Sequence, residues 1–250
     1  MPRTEASRRP ICVIKAGGTY PEVVRELGDF EHWIMAGLEL PRRDVRVVDA
    51  RLVERFPEPE ECAGVIMTGS HAMASERLPW MERLSEWLRR LVTVDTPFLG
   101  ICFGHQLLAQ ALGGQVDFHP RGREIGTVSI ELTPAAAADP LFSGMPPRFS
   151  AHAVHAQSVR ELPAGATLLA GNGFEPTHAF RVGACAWGIQ FHPEFNQARM
   201  AMYIERLAAD ARCVACDIAA VRAGVADTPV SAGLLPRFVE LAYMGKSGTD

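Results

Sequence analysis

No part of the sequence carries the 18 or more consecutive apolar residues that a membrane-spanning helix requires. The polar N-terminus, MPRTEASRRP, is not followed by the apolar segment of a secretory signal. Positive charge is not in excess either, because 29 Asp and Glu outnumber 25 Lys and Arg, for a formal net charge of −4. We therefore expect no membrane span, neither nucleic acid nor a membrane as partner, and a cytoplasmic location.

Cysteines are too few and too scattered for the disulfide framework of a small secreted domain. Three of the six (Cys12, Cys62 and Cys185) lie in or beside apolar stretches, where a free thiol acts as a small hydrophobe. The pair Cys213-x-x-Cys216 has no second pair or flanking histidine that would complete a zinc site. We expect a reducing environment, no bound metal and no cofactor.

Apolar runs alternate with stretches of helical spacing over the first two-fifths of the chain. The predicted strands cover residues 11–15, 45–48, 64–67 and 97–101, and predicted helices follow at 30–38, 79–92 and after residue 102. This alternation indicates an α/β fold with a mostly parallel central sheet flanked by helices.

The second half of the sequence predicts mainly strands up to residue 190 and helices after it. Predicted strands at 126–132, 167–170, 178–182 and 184–191 add antiparallel strands to the sheet, and helices are predicted near 196–209 and 234–243. The predicted organisation is a flexible N-terminal arm (1–9), one main domain (10–209) and a helical C-terminal extension (210–250).

Cys102 stands between a predicted strand and a predicted helix, within the pattern Gly-x-Cys-x-Gly. A nucleophile on such a tight turn crowds its neighbours, and a Cβ at Gly100 or Gly104 would clash. The turn places the thiol at the carboxyl end of the sheet and at a helix N-terminus, which favours the thiolate. A buried structural cysteine is the alternative, but the two glycines and the strand-to-helix context favour a nucleophile.

A thiolate nucleophile needs a base and a group that orients the base. His192 follows an apolar run and Glu194 comes two residues later, so that the carboxylate can hold and charge the imidazole. A surface His-Pro-Glu turn is the alternative. The oxyanion of the reaction needs N–H donors, for which Phe103 and Gly69 are candidates because neighbouring parallel strands would bring their turns together.

Two segments, GICFGHQLLAQALGG and GIQFHPEF, resemble the signature segments of the class I glutamine amidotransferases. Upstream, MTGSHAMASERLPWMERLSEWL is similar to the oxyanion loop and helix of that family, and the whole resemblance covers roughly residues 45–207. The sequence looks most like the glutaminase domain of GMP synthase and its stand-alone relatives, which include plant γ-glutamyl peptidases. The fold that this resemblance implies is flavodoxin-like.

The resemblance also implies roles for individual residues. Cys102, His192 and Glu194 would form a catalytic triad, Gly69 and Phe103 the oxyanion hole, and Gln106 would help to hold glutamine. The segment with His155, Gln157 and Ser158 would contact the α-amino and carboxylate groups of the substrate through its backbone. The family often has an acidic residue near Gln157 or Ser158, and this chain has none.

Three classes of function remain open at this point. The first is a glutaminase subunit that supplies ammonia to a separate synthetase, since no SGGVDS-like or GxxxxGK[ST] phosphate loop occurs in the sequence. The second is a stand-alone hydrolase of γ-glutamyl conjugates, and the third is a non-catalytic binding protein on the same fold. The chain could also form a homo-oligomer.

Overall fold

The computed structural model describes residues 8–209 and 217–244, so the Cys213-x-x-Cys216 pair lies outside the described residues. The strands, in chain order, are β1 (Ile11–Lys15), β2 (Val45–Asp49), β3 (Gly64–Met67), β4 (Phe98–Ile101), β5 (Gln115–Phe118), β6 (Glu124–Leu132), β7 (Arg148–His155), β8 (Gln157–Glu161), β9 (Thr167–Gly171), β10 (Ala179–Val182) and β11 (Ala186–Ile189). The α-helices are α1 (Pro21–Leu27), α2 (Phe30–Gly37), α3 (Pro79–Thr93), α4 (Phe103–Ala111), α5 (Gln197–Ala209), α6 (Ile218–Ala223), α7 (Pro229–Ala232) and α8 (Leu234–Met244).

Nine of these strands form one sheet, in the order β2-β1-β3-β4-β11-β10-β9-β6-β7. Its first five strands are parallel, and from β10 onwards each strand runs antiparallel to its neighbour. Strands β5 and β8 pair in a separate antiparallel sheet. The predicted fold class, a mostly parallel sheet with added antiparallel strands, is confirmed.

Helices cover both faces of the parallel part of the sheet, because each strand buries side chains on both sides. Residues of α3 and α4 share one apolar cluster with one face, and residues of α2 and α8 share another cluster with the other face. A third apolar cluster joins α1, α2 and α5 beside the carboxyl ends of the strands. Within the described residues, no helix is both long enough and apolar enough to cross a bilayer.

The elements whose bounds the sequence does not predict are strands β5, β7 and β8 and helices α1, α6 and α7. Strand β7 (RFSAHAVH) is buried from Ala151 to His155 although it contains two histidines, and it pairs with β6 along its whole length. Its stability comes from this pairing and from burial rather than from a local apolar pattern. The predicted boundary at residue 210 falls among residues outside the described ranges.

Candidate active site

Cys102 lies in the sharp turn between β4 and α4, with the left-handed backbone angle φ = 51°. A Cβ built on Gly100 would lie 2.4 Å from the carbonyl carbon and oxygen of Gly104, and one on Gly104 would lie 3.0 Å from Met67. The distance at Gly100 confirms the predicted clash, because real Cβ atoms essentially never approach backbone so closely, whereas the contact at Gly104 is tight and would require Met67 to shift. The crowding is that of a sharp turn between a strand and a helix, with the nucleophile at its tip.

His192 reaches the same edge from the neighbouring strand. Strand β11 pairs with β4 in parallel, with Ile189 opposite Ile101, so the residues that follow both strands meet. The Cys102 N–H donates to the Ile189 carbonyl at 2.8 Å, and the His192 N–H donates to the His152 carbonyl at 2.8 Å. These bonds hold the backbone on both sides of the site.

Glu194 and the His192 ring form a buried ion pair. Nδ1 of His192 lies 2.7 Å from Oε1 of Glu194, and both side chains are almost fully buried. The ring of Phe195 packs on the imidazole, with 4.3 Å between the ring centroids. The carboxylate and the aromatic ring together fix the imidazole in one orientation, which leaves Nε2 for proton transfer.

The charge state of His192 follows from two opposing effects. Burial by itself lowers the pKa of His192, but its interactions with Glu194 and with Cys102 outweigh burial and raise this pKa to about 10. At neutral pH the imidazole is therefore protonated beside Cys102.

Gly69 lies between the nucleophile and the histidine. A Cβ built on Gly69 would lie 3.2 Å from Cε1 of His192 and 3.7 Å from Cβ of Cys102. The Thr68 hydroxyl accepts a hydrogen bond from the Ala16 N–H at 3.0 Å and donates to the Gly69 carbonyl at 2.8 Å, which holds the loop after β3 in place. Phe103 is the first residue of α4, where backbone N–H groups have no partner inside the helix. Gly69 and Phe103 thus both lie close to Cys102.

A cavity of about 170 Å3 opens above Cys102 and His192. Three of the other residues proposed from the sequence also line it, namely Gln106, His155 and Gln157, whereas Gly69, Phe103, Ser158 and Glu194 lie outside the lining. Its remaining walls are formed by Tyr20, Phe30, Ser70, His71, Ala72, Met73, Arg123, Val154, Ala156, Tyr203 and Leu207.

The side chain of Gln106 is partly used by the protein. Its Nε2 donates to the Gln157 carbonyl and to Oε1 of Gln190, both at 2.9 Å. The bond to the Gln157 carbonyl fixes the backbone of the 155–158 segment against α4. Gln106 is therefore held rigidly at the cavity wall, one turn after the nucleophile.

The side chains of the 155–158 segment point mainly into the protein. His155 bonds Oε2 of Glu124 at 2.9 Å, and Gln157 donates from Nε2 to the Ser75 hydroxyl at 2.5 Å. Ser158 is fully buried. What the segment offers to the cavity is chiefly its backbone, together with the edges of His155 and Gln157.

Four residues in the cavity wall have no signal in the sequence that marks them as functional: Tyr20, Phe30, Arg123 and Tyr203. His71 directly follows the Gly69 loop, so its position in the chain could have indicated a place near the site. Its Nε2 bonds the Tyr203 hydroxyl, and the rings of Tyr20 and His71 are 4.7 Å apart. Burial lowers the pKa of His71, so this ring is neutral at pH 7.

The described ranges 8–209 and 217–244 contain no group of three or more His, Cys, Asp or Glu side chains arranged to hold a metal ion. The arrangement of Cys102, His192 and Glu194 can perform nucleophilic attack by a thiolate with proton transfer by His192.

Residues 24–209 match the model of a protein family described as glutamine amidotransferase class I. Among curated proteins, the chain is 31% identical over 193 residues to a glutamine-hydrolysing GMP synthase of Aeropyrum pernix, covering 76% of this chain and 33% of that protein. It is 31% identical over 199 residues to γ-glutamyl peptidase 4 of Arabidopsis thaliana, covering 77% of this chain and 74% of that protein.

A shorter relative is one of the subunits of a glutamine-hydrolysing GMP synthase from Methanobrevibacter smithii. It is 28% identical over 175 residues, which cover 70% of this chain and 86% of that protein. Among solved structures, a glutamine amidotransferase of Thermotoga maritima superposes with a TM-score of 0.71 at 22% identity, covering 94% of this chain and 99% of that one. At this identity the structural likeness shows the fold alone.

Proposed function

The chain belongs to the class I glutamine amidotransferase family, and from that premise we propose that it hydrolyses the γ-amide of glutamine to glutamate and ammonia. The observation that carries this proposal is the thiol of Cys102 on its strained turn beside the buried His192–Glu194 pair, at the floor of a cavity of about 170 Å3. Gly69 and Phe103 supply the oxyanion donors in this mechanism, and Gln106 supports the substrate.

In the first half of the reaction, the Cys102 thiolate attacks the γ-carbonyl carbon and a C–S bond forms. The carbonyl oxygen takes the electron pair and is stabilised by the N–H groups of Gly69 and Phe103. When the intermediate collapses, the C–N bond breaks and protonated His192 gives its proton to the departing nitrogen. Ammonia leaves, and a γ-glutamyl thioester remains on Cys102.

In the second half, neutral His192 accepts a proton from water while the water oxygen attacks the thioester carbon. The C–S bond breaks, glutamate leaves, and the thiolate and the imidazolium are restored. Glu194 keeps its contact with Nδ1 of His192 in both halves and orients the imidazole.

The test is glutamate release by the purified chain from L-glutamine and from a panel of γ-glutamyl peptides. Cys102→Ala should abolish turnover and leave the fold unchanged. Cys185→Ala, which removes a thiol outside the cavity, should remain active. A well-folded Cys102→Ala variant with normal turnover would refute the proposal.

A second candidate is a hydrolase of γ-glutamyl conjugates, which uses the same steps with an amine as leaving group. It is favoured by the match to a γ-glutamyl peptidase over 74% of that protein's length, against 33% for the Aeropyrum enzyme. Rapid Cys102-dependent hydrolysis of a γ-glutamyl peptide, with slow hydrolysis of glutamine, would select this candidate.

A separate synthetase polypeptide is the partner that the first candidate requires. The match covers 33% of the Aeropyrum GMP synthase and 86% of the Methanobrevibacter protein, which is itself one subunit of a GMP synthase, and this second match supports a separate synthetase as partner. Weak glutaminase activity of the isolated chain, with Cys102 still labelled by an electrophilic glutamine analogue and activity restored by a co-purifying protein, would support this arrangement.

A further inference from the structure

Arg123 is a charged residue in the cavity wall to which the mechanism gives no task. It is half-buried, it lines the cavity together with Cys102, and its guanidinium makes no hydrogen bond or ion pair with any described residue. Its neighbour Arg121 differs, because that guanidinium donates to the carbonyls of Gly173 and Phe174 and packs over the Phe174 ring. Arg121 therefore has a structural role, whereas Arg123 offers its donors to the cavity.

Arg123 directly precedes β6 and lines the cavity. The next residue, Glu124, is instead buried in the protein, where its carboxylate bonds His155 at 2.9 Å and Asn172 at 2.9 Å. Burial is the main reason for the lowered pKa of His71, and the positive charge of Arg123 contributes to it, which places this charge near the His71 side of the cavity.

The pairing of β6 with β7 places Arg123 beside the segment expected to meet the amino-acid end of the substrate. Glu124 pairs with His155 at the end of the ladder, Arg123 directly precedes Glu124, and Ala156 directly follows His155. Ala156 also lines the cavity. The guanidinium is thus placed near the α-carbon end of a γ-glutamyl group whose amide lies at Cys102.

Apart from Cys102 and the histidines, Arg123 is the charged residue among the described residues that line the cavity. No Asp or Glu of the described residues contributes to the lining, and the neutral Gln157 side chain is engaged by Ser75. A guanidinium without a partner attracts a carboxylate and can bind it through two parallel N–H donors. The substrate's ammonium group, by contrast, finds no carboxylate side chain in this wall.

Resting on the proposed function, we propose that Arg123 binds the α-carboxylate of the γ-glutamyl group and that the α-amino group contributes little to recognition. The substrate class is therefore a primary or secondary amide of a five-carbon acid that carries a carboxylate at the far end, with or without an α-amine. This would make Arg123 a specificity-determining residue for the reaction at Cys102.

The experiment compares three amides: L-glutamine, 4-carbamoylbutanoate, which lacks the α-amine, and 4-aminobutanamide, which lacks the α-carboxylate. Wild type should lose more kcat/KM when the carboxylate is removed than when the amine is removed. Arg123→Met should lower kcat/KM for the two carboxylates about 10- to 100-fold, mainly through KM, because charged hydrogen bonds have this strength. The value for 4-aminobutanamide should not change, and Arg123→Lys should restore part of the loss.

Arg160→Met is the matched control, since Arg160 is exposed and lies outside the cavity lining. It should leave all three values unchanged. If turnover by the isolated chain is slow, the same comparison applies to the rate of Cys102 alkylation by diazoketone analogues of glutamine with and without the α-carboxylate.

Equal losses on all three amides in Arg123→Met would overturn the assignment of Arg123 while leaving the glutaminase mechanism intact. The assignment of Arg123 would also be overturned if wild-type kcat/KM fell more on removal of the α-amine than on removal of the α-carboxylate. Wild-type protein with neither Cys102-dependent turnover nor Cys102 labelling would instead refute the proposed function itself, so the two failures are distinguishable.

Discussion

Replacing Glu194 with glutamine removes the charge that keeps His192 protonated while preserving the size of the side chain. Nδ1 of His192 and Oε1 of Glu194 are 2.7 Å apart in a site from which solvent is nearly excluded. Two unit charges with centres about 4 Å apart attract each other by about 4 kcal/mol at the effective dielectric constant of about 20 that suits protein sites. This energy would lower the pKa of His192 from about 10 to about 7.

The effect on catalysis should therefore depend on pH. At pH 6 the imidazole is protonated in both proteins, and Glu194→Gln should lose little kcat/KM. At pH 9 the wild-type ring is still charged, whereas only about one ring in 100 is charged in the variant, so kcat/KM should fall about 100-fold.

The assay is kcat/KM for glutamate release between pH 5.5 and 10, in parallel with the rate of Cys102 alkylation over the same range. Glu131→Gln is the control, because Glu131 is exposed and pairs only with exposed Arg148 among the described residues. A wild-type-to-variant ratio that stays constant from pH 6 to pH 9 would refute the reasoning, since it would show that Glu194 does not act through the charge of His192.

Two further predictions concern stability. Gly100→Ala should lower the free energy of unfolding by about 3 kcal/mol or fail to fold, because its Cβ would lie 2.4 Å from the Gly104 carbonyl group. Urea unfolding measures this change. Gly173→Ala is a nearly neutral control, because its Cβ meets nothing within 4 Å. Burial lowers the pKa of His105 to about 3, so this ring stays neutral in the folded protein. The unfolded chain binds a proton at this histidine below about pH 6.5. The free energy of unfolding therefore falls as the pH drops from 6.5 towards 3. His105→Leu should make that fall shallower in urea titrations at several pH values, and an unchanged slope would contradict the prediction.

Much of the fold could be predicted from local patterns. Strands β1, β3 and β4 coincide with short apolar runs because they are buried on both faces, and α3 shows clear helical spacing because it is buried on one face. Strand β7 could not be predicted in the same way, because its buried His152 and His155 are tolerated only where a neighbouring strand and a buried carboxylate meet them.

The candidate site, like the fold, has parts that the local sequence predicts and parts that it does not. The sequence by itself determined the turn at Cys102, because the steric demand of Gly100 and Gly104 acts over four residues and is visible in the local pattern. It also determined that His192 and Glu194 are close, since only Pro193 separates them. The catalytic roles of Cys102, His192 and Glu194 are predictions, which the measurements described above test.

Only the tertiary structure decided which residues form the cavity. Tyr20, His71, Arg123 and Tyr203 come from four distant parts of the chain, and no local spacing relates them. They meet because parallel strands end at one edge of the sheet, because α5 packs against α1 beside that edge, and because Arg123 directly precedes β6, whose first residue pairs with the last residue of β7. Contacts of this kind depend on strand order and register, which a pattern of neighbouring residues does not specify.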